Sequence, residues 1–302
     1  MALVILSPAK TLDMVPAAAA FLRSQPALAA KADALIHDLR KISVAGLKTL
    51  FGVSDAIAKL NASRFKSFVL AAELPATESK QACLAFNGPA YKGLSASTLS
   101  TEDLEYAQEH CRILCGLYGA VRPMDMIQAY RLEMGTKGKW DGGAHTTLYD
   151  YWGSTIAEEI CKTGVGLVVN CASEEYSKSA LSHLAAMGDA GPTVVDCVFK
   201  DEGRIKSVYA KQARGMMTRH VIEHRVSDLE GLRAFTSAGY VYSASESSEA
   251  KLVFNRSKAA ATAAAAAASK RKQEQQAGGG EAGGGSGTKP AKKAKATKKK
   301  KK

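Results

Sequence analysis

Four groups of residues carry side chains capable of chemistry, and in each the spacing suggests how they would be used. The first is Leu47–Asn61, LKTLFGVSDAIAKLN, where a glycine hairpin joins two helical stretches. This approximates the helix-hairpin-helix pattern, which points free backbone N–H groups at the start of its second helix toward an anion such as a DNA phosphate. Gly52 suits the positive φ of such a hairpin, Val53 lies within it, Ser54 suits the cap of the second helix, and Lys48, Lys59, Arg64 and Lys66 supply positive charge. Ser54 stands where the pattern has its second glycine, so the stretch also reads as an ordinary helix pair with Ala56, Ile57 and Leu60 in the core.

The second group follows two apolar runs. Ser7, Lys10 and Thr11 come after ALVIL, and Asn170, Ser173, Glu174, Tyr176 and Lys178 come after the run 166–171. If both runs are strands and parallel neighbours, the two polar sets emerge together at the carboxyl edge of one sheet, where α/β proteins bind ligands. The third group is Lys211, Arg214, Thr218 and Arg225, which on a helix would fall within an arc of about 60° and form a basic stripe; the competing reading is a solvated face, with Gly215 interrupting the helix. The fourth is Arg122, Arg131, Lys137 and Lys139 in a segment with Tyr118, Tyr130 and Trp140, offering phosphate and stacking contacts or an aromatic core. An enzyme using the same polar cleft would draw on Lys10, Arg131, Glu133, Glu174, Tyr176 and Lys178 as acid, base or phosphate-handling groups.

Other signatures point nowhere. His220, Glu223 and His224 spell H-x-x-E-H, but no third ligand is identifiable and five-residue matches are common by chance, so no metal is expected. Cys111 and Cys115, four apart, are a weak metal start for the same reason. There is no GxxxxGK[ST] loop, no GxSxG elbow and no complete GxGxxG; Gly164 and Gly166 precede a strand instead of following one. No cofactor is expected.

The elements that must position these groups follow from periodicity and breakers. Strands are expected at 2–6, 81–86, 166–171, 193–199, 204–210 and 239–243. Helices are expected at 17–41, 44–51, 54–70, 101–115, 147–162 and 211–225. That is a mixed α/β (α+β) body, one domain over residues 1–255, with a central sheet and no internal repeat or linker. From residue 256 the composition changes to an Ala-rich run, a GGGEAGGGSG stretch and a Lys-rich end, a basic tail expected to be disordered beyond a transient alanine helix.

Composition narrows the classes further. The 302 residues are 46% hydrophobic, ample for a buried core, and carry a formal charge of +12. The tail accounts for all of that charge, with 14 Lys and Arg against Glu274 and Glu281; removing it leaves 27 basic and 27 acidic residues in the body (41 less 14, 29 less 2). Global charge therefore does not identify the body's partner. The start, MALVILSPAK, has too short an apolar run for a signal peptide or a membrane span, and six cysteines without a CxxC pair suit reduced, buried thiols. A cytoplasmic protein is expected, with no membrane partner and no specific protein partner predictable; in a nucleated cell the Lys-rich tail would also suit import.

Several phrases, in order, resemble the YaaA family of peroxide-stress proteins: SPAKTLD (7–13), FNGPAYKGL (86–94), LCGLYGAVRPMDMIQAYRLEMGTK (114–137), LYDYW (148–152), NCASEEYSKS (170–179) and YAKQARGMMTR (209–219). The resemblance implies a compact single domain with a helix-hairpin-helix element and a positively charged cleft. It also implies binding of duplex or branched DNA, and a role in limiting peroxide damage and loose iron.

Overall fold

Residues Ala2–Leu6 have every side chain out of water. Such a strand must lie mid-sheet with both faces covered, because a solvated face would demand alternating polar residues. The computed structural model describes residues 1–16, 22–69 and 78–278 and places this strand, β1, between two parallel neighbours. In chain order the elements are β1 (Ala2–Leu6), α1 (Ala29–Lys41), α2 (Val44–Phe51), α3 (Asp55–Ser67), β2 (Lys80–Gln81), α4 (Ala82–Ala85), α5 (Pro89–Leu94) and α6 (Thr101–His110). Next come β3 (Cys111–Cys115), β4 (Gly119–Val121), β5 (Met126–Ile127), β6 (Lys137–Trp140), β7 (His145–Thr147), α7 (Leu148–Trp152), α8 (Thr155–Cys161) and β8 (Leu167–Cys171). The chain continues with α9 (Glu174–Ala185), β9 (Thr193–Asp201), α10 (Ser207–His224), α11 (Leu229–Arg233), β10 (Val241–Tyr242), β11 (Lys251–Arg256) and α12 (Lys258–Gly278).

The central sheet has seven strands in the order β10-β11-β9-β8-β1-β3-β4, parallel from β11 to β3 and antiparallel at both edges. Chain order reverses at β1. Its parallel successor β3 lies on one side, while β8, β9 and β11 lie on the other. That reversal leaves a crevice outside the carboxyl ends of β1 and β8, the place where open α/β sheets take ligands. The mixed α/β expectation therefore holds as a single domain around a mostly parallel sheet.

Several boundaries differ from the sequence reading. The expected helix 17–41 begins only at Ala29, and its residues 17–21 lie outside those described, as do 70–77 and 279–302. The expected strand 81–86 is a two-residue bridge followed by a helical turn, Ala82–Ala85. The helix expected over 101–115 stops at His110, and CRILC becomes buried strand β3; Cys111 and Cys115 therefore sit on a strand, not a helix face. The strand expected at 204–210 is replaced by the first turn of α10. Gly153, at positive φ, breaks 147–162 into α7 and α8. The Ala-rich run forms helix α12, in keeping with alanine's helix propensity, and its start packs Ala260 against Gly239. Arg256, counted with the tail by composition, ends β11 and is buried against Asp201 at 2.6 Å. Tyr240 donates to the same carboxylate at 3.0 Å, and its ring lies 4.4 Å from the guanidinium carbon.

One packing contact governs how helices sit over the crevice. Where α5 crosses α10, Gly93 faces the backbone of Gln212 and Gly215 faces the backbone of Ala90, so closely that a Cβ on either would overlap a carbonyl oxygen. Gly215 does not interrupt α10; it is a buried interior residue whose missing side chain lets the two backbones touch. Replacing it by alanine is expected to lower stability by about 3 kcal/mol, the cost of forcing atoms into a filled contact, or roughly 6–12 °C in Tm for a domain of this size. A thermal melt showing a loss below about 1 kcal/mol would contradict this packing.

Five of the six cysteines are buried and Cys161 is partly exposed. Burial pushes the Cys83, Cys111 and Cys115 thiols up to about 12, so they hold their protons and react slowly. Iodoacetamide at neutral pH should label Cys161 alone in the native protein and all six after unfolding, counted by intact-mass spectrometry.

Candidate functional site

A cavity of about 270 Å³ opens at the carboxyl ends of β1 and β8. Its floor is tied together by serine. The Ser7 hydroxyl accepts from the Ser173 N–H at 2.8 Å and lies 3.2 Å from the Ser173 hydroxyl, joining the loop after β1 to the start of α9. Tyr91 of α5 donates to the Ser7 carbonyl at 2.9 Å. Asn170 shapes the end of β8, donating to Asp196 at 2.7 Å and accepting from the Ala172 N–H at 2.9 Å. Lys10 and Thr11 line one wall, and Lys211 and Arg214, one turn apart on α10, line another.

The charges differ in how they are used. Glu133 bridges two cations, Lys10 at 2.7 Å and Arg131 at 2.8 Å. Lys211 and Arg214 form no ion pair among the described residues, although Arg214 is half-buried. Burial, reinforced by neighbouring carboxylates at Tyr176, raises the phenols of Tyr91 and Tyr176, which therefore stay protonated. The Tyr91 hydroxyl is already held by Ser7, and both rings line the cavity.

Not every residue expected in the cleft is here. Glu174 is exposed on the first turn of α9, and the carboxylate that reaches the cavity is Glu175, which accepts from the Gly135 N–H at 3.0 Å. Lys178 lies over the Tyr149 ring at 4.8 Å. Arg122 is committed elsewhere, to buried Asp125 at 3.1 Å and the Gln25 carbonyl. The expected stripe on α10 does not form, because Thr218 is buried and Arg225 turns to Asp103 at 2.8 Å and the Tyr106 ring. Tyr118, Tyr130 and Trp140 are core. Sequence reasoning missed Asn87, Tyr91 and Glu175; the Asn-Gly-Pro turn was legible, but nothing in it tells where the following helix lies.

A wider groove of about 900 Å³ adjoins this region. Gly135–Lys139 form one wall and α1–α2 the other, including Lys41, Gly46 and Thr49. Lys137 and Lys139 are exposed two residues apart on β6. The hairpin region begins in that second wall. Gly52 ends α2 in the left-handed conformation, and the Ser54 hydroxyl caps α3 by accepting from the Ile57 N–H at 3.4 Å. Phe51 and Phe65 pack edge to face across the pair. Lys48 is paired with Asp55 at 3.1 Å, Lys59 is exposed, and Arg64 is half-buried, which lowers its pKa. Ala58 is buried, whereas Ala56, Ile57 (38%) and Leu60 (49%) are exposed, so these three are not the core residues the ordinary helix-pair reading requires.

An open, mostly parallel sheet with polar residues gathered outside the strand ends at the order reversal defines a mixed α/β domain, with those residues where open α/β sheets take ligands. The family model described as peroxide stress protein YaaA matches residues 2–246. UPF0246 proteins of Burkholderia mallei (strain SAVP1) and Burkholderia pseudomallei (strain K96243) are each 44% identical over 268 residues, and one of Bordetella pertussis is 44% identical over 270. Each alignment covers 85% of this chain and the whole of the relative. The chain belongs to the YaaA peroxide-stress family. Among the described residues no helix is long and apolar enough to cross a membrane.

The H-x-x-E-H residues are each engaged in packing or pairing. His220 shares a hydrogen bond of 2.9 Å with the Gly231 carbonyl and packs edge to face with Phe235, Glu223 pairs with Arg219 at 2.7 Å, and His224 lies 3.0 Å from the His220 carbonyl. Burial lowers the His220 pKa below 6.5, helped by the adjacent His224 and opposed by the Gly231 carbonyl and Glu223. With the folded value below the unfolded one, the unfolded chain takes up the proton first. This stability is present above about pH 6.5 and is lost as pH falls through the depressed folded value. Tm should fall between pH 7 and 5, and His220→Gln should flatten that slope.

Proposed function

We propose that this protein binds DNA in the response to hydrogen peroxide and limits peroxide and iron damage, with the groove beside α2 and the cavity at the strand ends as its contact surface. The observation that carries this reading is continuity. The segment 131–139 contributes Arg131 and Glu133 beside the cavity and Lys137 and Lys139 to the groove, so cations follow one path from α10 to the α2–α3 hairpin. A path of Lys and Arg suits a phosphate backbone, which needs charge spread along a line and no base recognition. The hairpin of α2 and α3 then serves as a helix-hairpin-helix element, with Gly52, Val53 and Ser54 at the phosphate and Lys48, Lys59 and Arg64 around it. Lys48 must exchange Asp55 for a phosphate, a modest demand because an exposed pair contributes only about 0–1 kcal/mol. The Lys-rich end acts as a sequence-independent arm. An enzymatic role for the same groups has less support, since the buried phenols of Tyr91 and Tyr176 resist ionisation.

A chain ending at Gly278, which keeps every described element, should retard duplex DNA at low salt, and its affinity should fall as salt rises. Lys137→Ala with Lys139→Ala should weaken binding about equally for all sequences and reduce the salt slope by about two. Absence of any mobility shift from the shortened chain, with binding by the full chain intact, would assign DNA binding to the tail and remove the body from it.

A further inference from the structure

The cavity at the ends of β1 and β8 is too small for a duplex and is built unlike a phosphate track. At about 270 Å³ it sits just below the roughly 300–1,000 Å³ of most small-molecule sites. Part of its lining is apolar, formed by Pro8, Pro89 and the rings of Tyr176 and Tyr91, the latter's hydroxyl bonded to Ser7, with Lys10 and Glu175 also present. Another part carries Lys211 and Arg214, which have no carboxylate partner among the described residues. This lack of pairing is unusual here, because the neighbouring cations Lys10 and Arg131 are both neutralised by Glu133. At the mouth, the side-chain amide of exposed Asn87 makes no hydrogen bond among the described residues and offers both a donor and an acceptor.

We propose that this cavity holds a single nucleotide, its phosphate on Lys211 and Arg214, its base against the Tyr91 and Tyr176 rings, and the base edge at Asn87. Each half of the ligand answers one half of the site. An unpaired Lys and Arg one helical turn apart complement a phosphate dianion, with the guanidinium supplying a two-pronged contact. Aromatic rings complement a flat, weakly polar base, because stacking is sequence-tolerant and needs no hydrogen bond. The side-chain amide of Asn can pair with adenine through two bonds. The same chemistry is met by a free mononucleotide and by a nucleotide unstacked from a DNA strand. Only the strand-borne form rests on the DNA-binding reading above.

The test uses the full chain and three probes: deoxyadenosine monophosphate, inorganic phosphate, and duplexes with or without one unpaired adenosine. Lys211 is exposed, so Lys211→Glu should leave the fold intact, verified by its melt, and Lys162→Ala, at an exposed lysine outside the cavity, the groove and the hairpin, serves as a control. Calorimetry should show the mononucleotide binding at least ten times tighter than phosphate, with Lys211→Glu weakening it at least tenfold and Lys162→Ala without effect. If the mononucleotide does not bind but the unpaired adenosine strengthens duplex binding in a manner abolished by Lys211→Glu, the source is the strand and the proposal stands. Equal binding of phosphate and mononucleotide would overturn it, since the base would then contribute nothing. It is equally overturned if no mononucleotide binds and paired and unpaired duplexes bind alike; intact binding of the paired duplex in that case would leave the DNA-binding reading standing.

Discussion

The backbone contact between α5 and α10 is the constraint on which the site depends. Two helices ordinarily lie 8–10 Å apart because their side chains intervene. Gly93 and Gly215 remove those side chains at the crossing, and carbonyl oxygens of each helix occupy the space a Cβ would need. Arg219 locks the arrangement one turn further along α10, donating to the Leu94 and Ser95 carbonyls at 3.1 Å each and to the Thr98 hydroxyl at 2.7 Å. Leu94 is the last residue of α5, where carbonyls lack partners in their own turn. Tyr91 and the Asn87–Pro89 turn come with α5, and Lys211 and Arg214 come with α10. The cavity is the gap left when the two are fastened over the ends of β1 and β8.

Electrostatics selects among many cations that composition treats alike. Most of the body's lysines and arginines near this face answer a local carboxylate: Lys10 and Arg131 share Glu133, Arg122 answers Asp125, Arg219 answers Glu223 and Arg256 answers Asp201. Pairing of this kind holds structure and leaves little field for a partner. Lys211 and Arg214 at the cavity and Lys137 and Lys139 at the groove stand outside it among the described residues. A formally neutral body can thus present a local excess of positive charge. The buried Arg256–Asp201 pair works differently. With Tyr240 it fastens the last strand of the sheet, and removing one partner would leave the other charged and out of water.

What the sequence determined by itself was whatever depended on neighbours within a few residues. The five apolar residues closed by Ser7-Pro8 made β1, and Gly52 followed by Ser54 made a helix stop and a helix start, because a positive-φ glycine and a capping hydroxyl act on the backbone beside them. The order of the phrases from SPAKTLD to YAKQARGMMTR was enough to suggest the family that the family model then matched. Only the tertiary structure decided that CRILC would be a strand, since so short a mostly apolar stretch satisfies helix and strand equally until β1 offers it hydrogen bonds. Tertiary structure alone also placed Gly215, which reads locally as a helix breaker and is a contact, and Tyr91, which reads as one more aromatic and is a wall of the cavity. Packing and pairing over long separations have no local signature, because the atoms that decide them lie more than a hundred residues away in the chain.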